Sequence, residues 1–312
     1  MADNDLTSQL EDVLDRVRDQ DDGEPHELPV HAEADLDRLA VAICDVDGQV
    51  WSAGPADHHF PIQSMSKAIV YGLAIDCAGL DEVLAHIDVE PSGDAFNRIS
   101  LDDGSNRPAN PMINAGALTA HSLVTGPDAP DRYERIHGLL SAMAGRELEL
   151  DQDCYAQEME RAHRNLGIAH MVKALSELPD DPHDVVDGYT RQCSLLVSTV
   201  ELARIGATLA NDGILPGTEE RVLSALAARH VLSVMLTCGM YDSAGDWVSS
   251  VGIPAKSGIS GGIIGSVPGR SGIATYSPRL DEHGNSSRGI LAFEHLSQEL
   301  DLHVLRPRHR DG

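Results

Sequence analysis

Apolar positions first recur at Leu10, Val13, Leu14 and Val17, the spacing of one face of a short amphipathic helix, and a loop from Asp21 to Pro29 follows. Beyond it the period drops to that of strands. Leu39 to Asp45 and Gln49 to Ala53 flank Val46-Asp47-Gly48, which predicts a hairpin. Near the other end Ile263 to Val267, Ile273 to Tyr276 and Ile290 to Phe293 also read as strands, with a turn over Asp281 to Asn285. A closing helix is predicted around Leu296 to Leu302. The middle of the chain keeps helical spacing. Tyr133, Ile136, Leu139, Leu140 and Met143 form a stripe that Gly145 ends, and Leu202, Ile205 and Leu209 form another. Ser198 and Glu201 have capping-box spacing ahead of that second stripe, and Asn211-Asp212-Gly213 stops it. Strands from both chain ends with helices between them predict an α/β (α+β) fold, in which an antiparallel sheet built from distant segments carries an inserted helical lobe. No internal repeat or low-complexity tract interrupts this pattern, and the basic tail from Arg306 to Arg310 reads as solvated.

Composition narrows the surroundings. The 312 residues suffice for a sizeable core. Met1 to Asp22 is acidic and polar, without the apolar core of a signal peptide, and no run of eighteen apolar residues occurs, so a soluble, cytoplasmic protein is expected. Fifty acidic against 23 basic residues give a net charge of −27, which repels nucleic acid and anionic membranes and suits a halophilic surface. Cys44, Cys77, Cys154, Cys193 and Cys238 are scattered and odd in number, the pattern of reduced, mostly buried thiols. The fifteen histidines show no metal-ligand spacing, and no phosphate-cradling glycine motif occurs, so neither a metal nor a cofactor is expected.

The chemistry gathers around Phe60-Pro-Ile-Gln-Ser64-Met-Ser-Lys67, where a serine stands just ahead of an apolar, helix-like run ending near Gly79. Ser64 and Lys67 lie one turn apart. A lysine can take the proton of a serine hydroxyl only when burial lowers its pKa. Alone, Ser-x-x-Lys is a weak signal. Pro254-Ala-Lys256-Ser257-Gly258-Ile259 adds the second half of a pattern shared by the penicillin-recognising acyl-serine enzymes. Gly258 admits close backbone approach, so the N–H of Ile259 can join that of Ser64 in an oxyanion hole. Only three of the 23 basic residues are lysine (Lys67, Lys173 and Lys256), and two fall in these motifs. Arginine cannot be deprotonated in a protein, so lysine is kept where a proton must come off.

The Ser-x-Asn or Tyr-x-Asn element of penicillin-recognising enzymes is missing between the two motifs. In its place stand Pro108-Ala-Asn-Pro-Met-Ile-Asn114-Ala-Gly-Ala, Glu158, His163-Arg-Asn165, Tyr189-Thr-Arg-Gln-Cys-Ser and Cys238-Gly-Met-Tyr241-Asp. With Asp47-Gly48, Glu90-Pro-Ser-Gly-Asp-Ala-Phe-Asn97 and Gly284-Asn285-Ser286, these blocks make nearly the whole chain resemble the bacterial and mitochondrial serine-dependent glutaminases. The resemblance implies a β-lactamase/DD-peptidase-like fold and hydrolysis of L-glutamine to L-glutamate and ammonia. Ser64 would be the nucleophile, Lys67 its general base and Tyr241 a proton shuttle. Asn114, Glu158, Asn165 and Tyr189 match positions that hold glutamine, while Ile259 stands where the family uses a valine N–H. A single domain over 1–312 is implied, with a sheet lobe near 30–60 and 250–305 and a helical lobe near 64–245. A homo-oligomer, dimer or tetramer, is implied as well. The charges of free glutamine agree, since Glu158 is an anion for its α-ammonium and the asparagines and tyrosine are neutral donors.

One block departs from the family. A substrate-contacting Tyr-Ile-Pro element is replaced by Glu27-Leu28-Pro29, and a glutamate there repels the substrate carboxylate unless it turns outward or is screened. Two other readings stay open on the residues alone: another acyl-serine hydrolase of the same fold (an esterase, β-lactamase or D-peptidase), or a catalytically silent amino-acid-binding protein.

Overall fold

A computed structural model describes residues 3–92, 106–125, 129–176 and 180–306. The chain begins with α1 (Asp3–Val17) and the one-turn α2 (Pro29–Ala32), then β1 (Ala40–Asp45), β2 (Val50–Ala53) and the short β3 (Phe60–Pro61). Helices follow as α3 (Ser66–Ala78), α4 (Leu80–His86), α5 (Asn114–Leu123), α6 (Ala129–Ala144), α7 (Gln152–Glu160), α8 (His163–Ser176) and α9 (Pro182–Cys193). β4 (Leu196–Val197) pairs with β3, and α10 (Thr199–Ala210), α11 (Ala225–Cys238) and α12 (Ala244–Ser250) complete the helical part. Then come β5 (Ala255–Ser257), β6 (Gly262–Val267), β7 (Ser271–Tyr276) and α13 (Ser287–Glu299). No helix among the described residues is long and apolar enough to cross a membrane.

The main sheet is antiparallel in the order β2-β1-β7-β6-β5, so its two N-terminal strands are zipped to the three C-terminal ones through β1 and β7. Ala42 faces Ala274 and Ile43 faces Ile273 across that seam. Side chains of β1 alternate between two cores, as the twofold strand period requires. Ala40, Ala42 and Cys44 join Leu202, Ile205 and Leu209 of α10, whereas Val41 and Ile43 join Leu10 and Leu14 of α1 and Phe293 and Leu296 of α13. Both faces are therefore covered by helices.

The α10 face is lined with small residues, and the contact is backbone on backbone. A Cβ added to Gly272 would stand 2.1 Å from the Ala203 carbonyl oxygen, and one added to Gly206 would stand 2.6 Å from that of Gly265. Any side chain at either position would push helix and sheet apart. The start of α10 is secured by its capping box: Ser198 Oγ accepts the Glu201 N–H while the Glu201 carboxylate accepts the Ser198 N–H. At its other end Asp212 and Gly213 take positive φ, 52° and 81°, as the Asn-Asp-Gly stop signal predicts.

Two sequence expectations are corrected at the C-terminal end. Ile290 to Phe293 is helix, because Ser286 caps α13 by accepting the Gly289 N–H and because Gly289, Ala292, Phe293 and Leu296 bury at helical spacing. The closing helix accordingly begins at Ser287 and ends at Glu299, earlier than Leu296 to Leu302. The Lys256 motif supplies the remaining strand, β5 at the sheet edge. The segments Gly93 to Asn97 and Pro307 to Arg310, singled out by sequence, lie outside the described residues.

Candidate active site

Ser64 lies in a single 3-10 turn, Gln63–Met65, that feeds directly into α3. The turn starts on a strained residue: Gln63 has φ 50°, a region an L side chain occupies only when its surroundings demand it. Those surroundings are explicit. The Gln63 amide donates to Glu158 Oε1 at 3.3 Å and meets His31 Nε2 at 3.1 Å, while its carbonyl accepts the Ser66 hydroxyl at 2.8 Å. Below the turn, α3 is buried continuously from Ser66 to Gly72, which places Lys67 inside the protein.

Lys67 is 1% exposed, and its ammonium group donates to Asn114 Oδ1 at 2.7 Å and to the Met112 carbonyl at 3.3 Å. Asn114 is fixed in turn by donating to Asn165 Oδ1 at 3.0 Å. Burial lowers the Lys67 pKa to about 8, with the Cys193 thiol acting weakly the other way. Asn114 Oδ1 and the Met112 carbonyl are neutral acceptors, which favour the ammonium less than a carboxylate would.

Tyr241 also meets Ser64. It too has a strained backbone, φ 54°, and its hydroxyl is hydrogen bonded to Ser64 and lies 3.4 Å from the Ser257 carbonyl. Burial pushes its pKa up to about 12, so near neutrality the phenol keeps its proton. Lys256, fully buried on β5, sits with Nζ 4.1 Å from the Tyr241 ring centre and donates to the same Ser257 carbonyl at 2.7 Å. Desolvation, and secondarily the neighbouring Lys67, depress its pKa well below that of free lysine. Asn285 clasps both sides of this wall, bonding Ser257 Oγ through its oxygen and Ser243 Oγ through its nitrogen.

In front of Ser64 opens a cavity of about 410 Å³, lined by Ser64, Asn114, Glu158, Asn165, Tyr189 and Ile259 among others. Six of the eight site residues chosen from sequence therefore line one cavity, and the other two do not: Tyr241 is hydrogen bonded to Ser64, and Lys67 is buried one turn along α3. The turn carrying Ile259 comes close because Gly258 and Gly262 have no side chains: a Cβ at Gly262 would lie 2.5 Å from Met65 Cε. Glu158 is drawn two ways, burial raising its pKa and the Gln63 amide and Arg161 lowering it. Tyr189 is 6% exposed and lies 6.0 Å from Lys67 Nζ by its ring centre.

Sequence reasoning missed Gln63 and His31, whose roles arise from contacts with Glu158 and with each other that have no local spacing. Glu27 lines the same cavity and is largely solvent-exposed: its side chain is 86% exposed, with Oε1 3.9 Å from Arg161 Nη1. A second cavity of about 490 Å³ runs behind Tyr241 between Met112, Cys238 and Val248. It contains neither Ser64 nor a fixed charge except Asp242. Among the described residues no three His, Cys, Asp or Glu side chains group as metal ligands. All five cysteines are unpaired, four of them buried.

A five-stranded antiparallel sheet assembled from both chain ends, with a serine, a lysine and a tyrosine converging where it meets a buried helix, defines a hydrolase of the β-lactamase-like class. The glutaminase family profile matches residues 24–305. A glutaminase of Corynebacterium efficiens is 47% identical over 299 residues, covering 95% of this chain and 71% of its own. That of Corynebacterium glutamicum is 48% identical over 306 residues, covering 97% and 74%. The solved structure of Mglu in its native form superposes with a TM-score of 0.93 at 44% identity, over 97% of this chain and 74% of that one. Mglu has also been solved in its glutamate form and in the presence of 4.3 M NaCl, with TM-scores of 0.93 and 0.92. The chain belongs to the glutaminase family, and its reaction is hydrolysis of L-glutamine to L-glutamate and ammonia.

Proposed function

We propose that this hydrolysis runs through an acyl-enzyme on Ser64. The observation that carries the proposal is the amine of Lys67: buried one turn from the serine, lowered by that burial to a pKa of about 8, and donating to the side-chain oxygen of Asn114 and the Met112 carbonyl. Neutral Lys67 takes the Ser64 proton as Oγ attacks the side-chain amide carbon. The oxyanion so formed faces the backbone N–H groups of Ser64 and Ile259. Collapse breaks the C–N bond, and the leaving nitrogen takes a proton relayed from Lys67 through the Tyr241 hydroxyl. Ammonia departs, leaving a γ-glutamyl ester on Ser64. Water, deprotonated by the same lysine, then attacks the ester and releases glutamate. Glu158 pairs with the α-ammonium, and Asn114, Asn165 and Tyr189 hold the rest of the amino acid from the cavity wall.

The chain acts in this reading as one domain whose sheet and helical lobes share the site. Five unpaired cysteines suit a reducing, cytoplasmic compartment. The family resemblance favours a homo-oligomer, to be measured by light scattering. A halophilic character rests on the net charge of −27 and on the 4.3 M NaCl in which structurally similar Mglu has been solved.

The decisive experiment is rapid acid quench during turnover, followed by peptide mass spectrometry. A γ-glutamyl adduct is expected on the peptide containing Ser64. Ser64→Ala should show no adduct and no ammonia release while unfolding near the wild-type temperature. Turnover retained by Ser64→Ala would remove the serine from the mechanism.

A further inference from the structure

We infer that Arg161 is the counter-charge for the α-carboxylate of bound glutamine, which with Glu158 makes a two-residue clamp for the zwitterion. The inference rests on reading the Ser64 cavity as the glutamine pocket. Glutamine carries its ammonium and carboxylate on one carbon, so a complementary pocket places an anion and a cation within a few ångströms of each other. Glu158 is the anion. Lys67 is no candidate for the cation, since it is engaged by Asn114 and Met112 behind the serine.

Two arginines line the cavity, Arg161 and Arg164. Arg161 follows Glu158 by three residues at the end of α7, the separation that sets two side chains on one face of a helical turn. It acts electrostatically on Glu158, opposing the effect of burial on that carboxyl, and on His26 at the rim, lowering that imidazole. Arg161 therefore lines the cavity, shares the end of α7 with Glu158 and is electrostatically coupled to it.

Its present partner is weak. Glu27 approaches at 3.9 Å, with the two side chains 86% and 52% exposed, an ion pair of the loose, solvent-screened kind that contributes little. A substrate carboxylate can displace it, because a planar guanidinium binds a carboxylate through two parallel bonds. This arrangement accounts for the glutamate in place of the family's tyrosine. Glu27 lines the same cavity, with its largely exposed carboxylate loosely paired to Arg161, a pairing that the substrate carboxylate would replace.

The test compares three amides: L-glutamine, glutaramate (no α-ammonium) and γ-aminobutyramide (no α-carboxylate), with inhibition constants replacing KM where turnover is too slow. Arg161→Gln should raise KM for glutamine and for glutaramate about tenfold, with kcat within about twofold, as expected for the loss of one partly exposed charge-assisted bond. It should leave γ-aminobutyramide unaffected. Arg161→Lys should recover part of the lost affinity, and Glu27→Gln should lower KM for glutamine about twofold by freeing the guanidinium. Glu158→Gln is the mirror control, weakening glutamine and γ-aminobutyramide but sparing glutaramate. If Arg161→Gln weakens all three amides equally, or none, Arg161 does not hold the carboxylate and the inference is overturned. If Glu158→Gln also loses its selectivity, the reading of the cavity as the glutamine pocket falls with it.

Discussion

The pH dependence of turnover should report Lys67 directly. Burial moves its pKa from 10.5 to about 8, which corresponds to about 3 kcal/mol against the ammonium form. At about pH 7 the neutral fraction rises from about one in three thousand to about one in ten, so the fold makes the base roughly 300-fold more available. If proton removal from Ser64 limits acylation, kcat/KM measured by ammonia release should climb with unit slope from about pH 6 and bend near the lysine pKa of about 8. Asn114→Asp provides the assignment. It sets a carboxylate where an amide oxygen now accepts from Nζ at 2.7 Å, favouring the ammonium and shifting the bend upward by about one pH unit or more. The position of the bend is the readout, since Asn114 also lines the substrate cavity and its loss affects rate by other routes. Lys67→Arg should abolish turnover, because arginine keeps the charge and cannot accept the proton. A wild-type profile flat through pH 8, or an Asn114→Asp bend that does not move, would refute Lys67 as the base.

Glu158→Gln should raise KM for glutamine by about one to two decades, the loss of a charge-assisted bond of about 1.5–3 kcal/mol, while its unfolding temperature stays close to wild type. Unfolding temperature and rate should both rise between about 50 mM and about 3 M KCl, because self-repulsion of the −27 surface is progressively screened, nearly completely by about 1 M where the Debye length is about 3 Å, and a rise beyond that would report cation hydration at the carboxylates. Equal stability and activity at both ends of that range would show that the acidity is merely tolerated.

Sequence was most informative where a signal is local. The hairpin at Val46-Asp47-Gly48 and the capping box at Ser198 and Glu201 each lie within four residues, and both are present as read. The two lysine motifs, about 190 positions apart, were paired by residue chemistry, and in the fold Lys67 and Lys256 are close enough to lower one pKa through the other. What stayed hidden is tertiary. Nothing around Gln63 signals a positive φ, because the strain is imposed by Glu158 and His31 from distant segments. Ile290 misled because a β-branched residue in a short apolar run suits either element, and only the cap at Ser286 settles it. The loose pairing of Glu27 with an arginine 134 positions away is likewise a contact no spacing rule anticipates.

The wall behind Ser64 links stability to function, and Lys256 is where the two separate. Its amine is fully buried, touches the Tyr241 ring and bonds the carbonyl that Tyr241 also reaches, so it positions the phenol. Burial depresses its pKa, so the unfolded chain holds a proton that the folded chain resists. Wild-type stability therefore gains from this group as pH rises toward the unfolded lysine value of about 10.4, and the protein is penalised below it. Lys256→Met removes the penalty with little change in volume, and the Ser257 carbonyl keeps Tyr241 as a partner. The variant should melt several degrees higher than wild type at about pH 7, with the gap closing as the pH approaches about 10. Turnover should move the other way, kcat falling about tenfold while KM changes little, since the tyrosine loses the contact that aims its hydroxyl at Ser64. An enzyme that melts with wild type at neutral pH would mean the buried amine is accommodated without penalty. One that keeps full kcat would mean the tyrosine needs no such support.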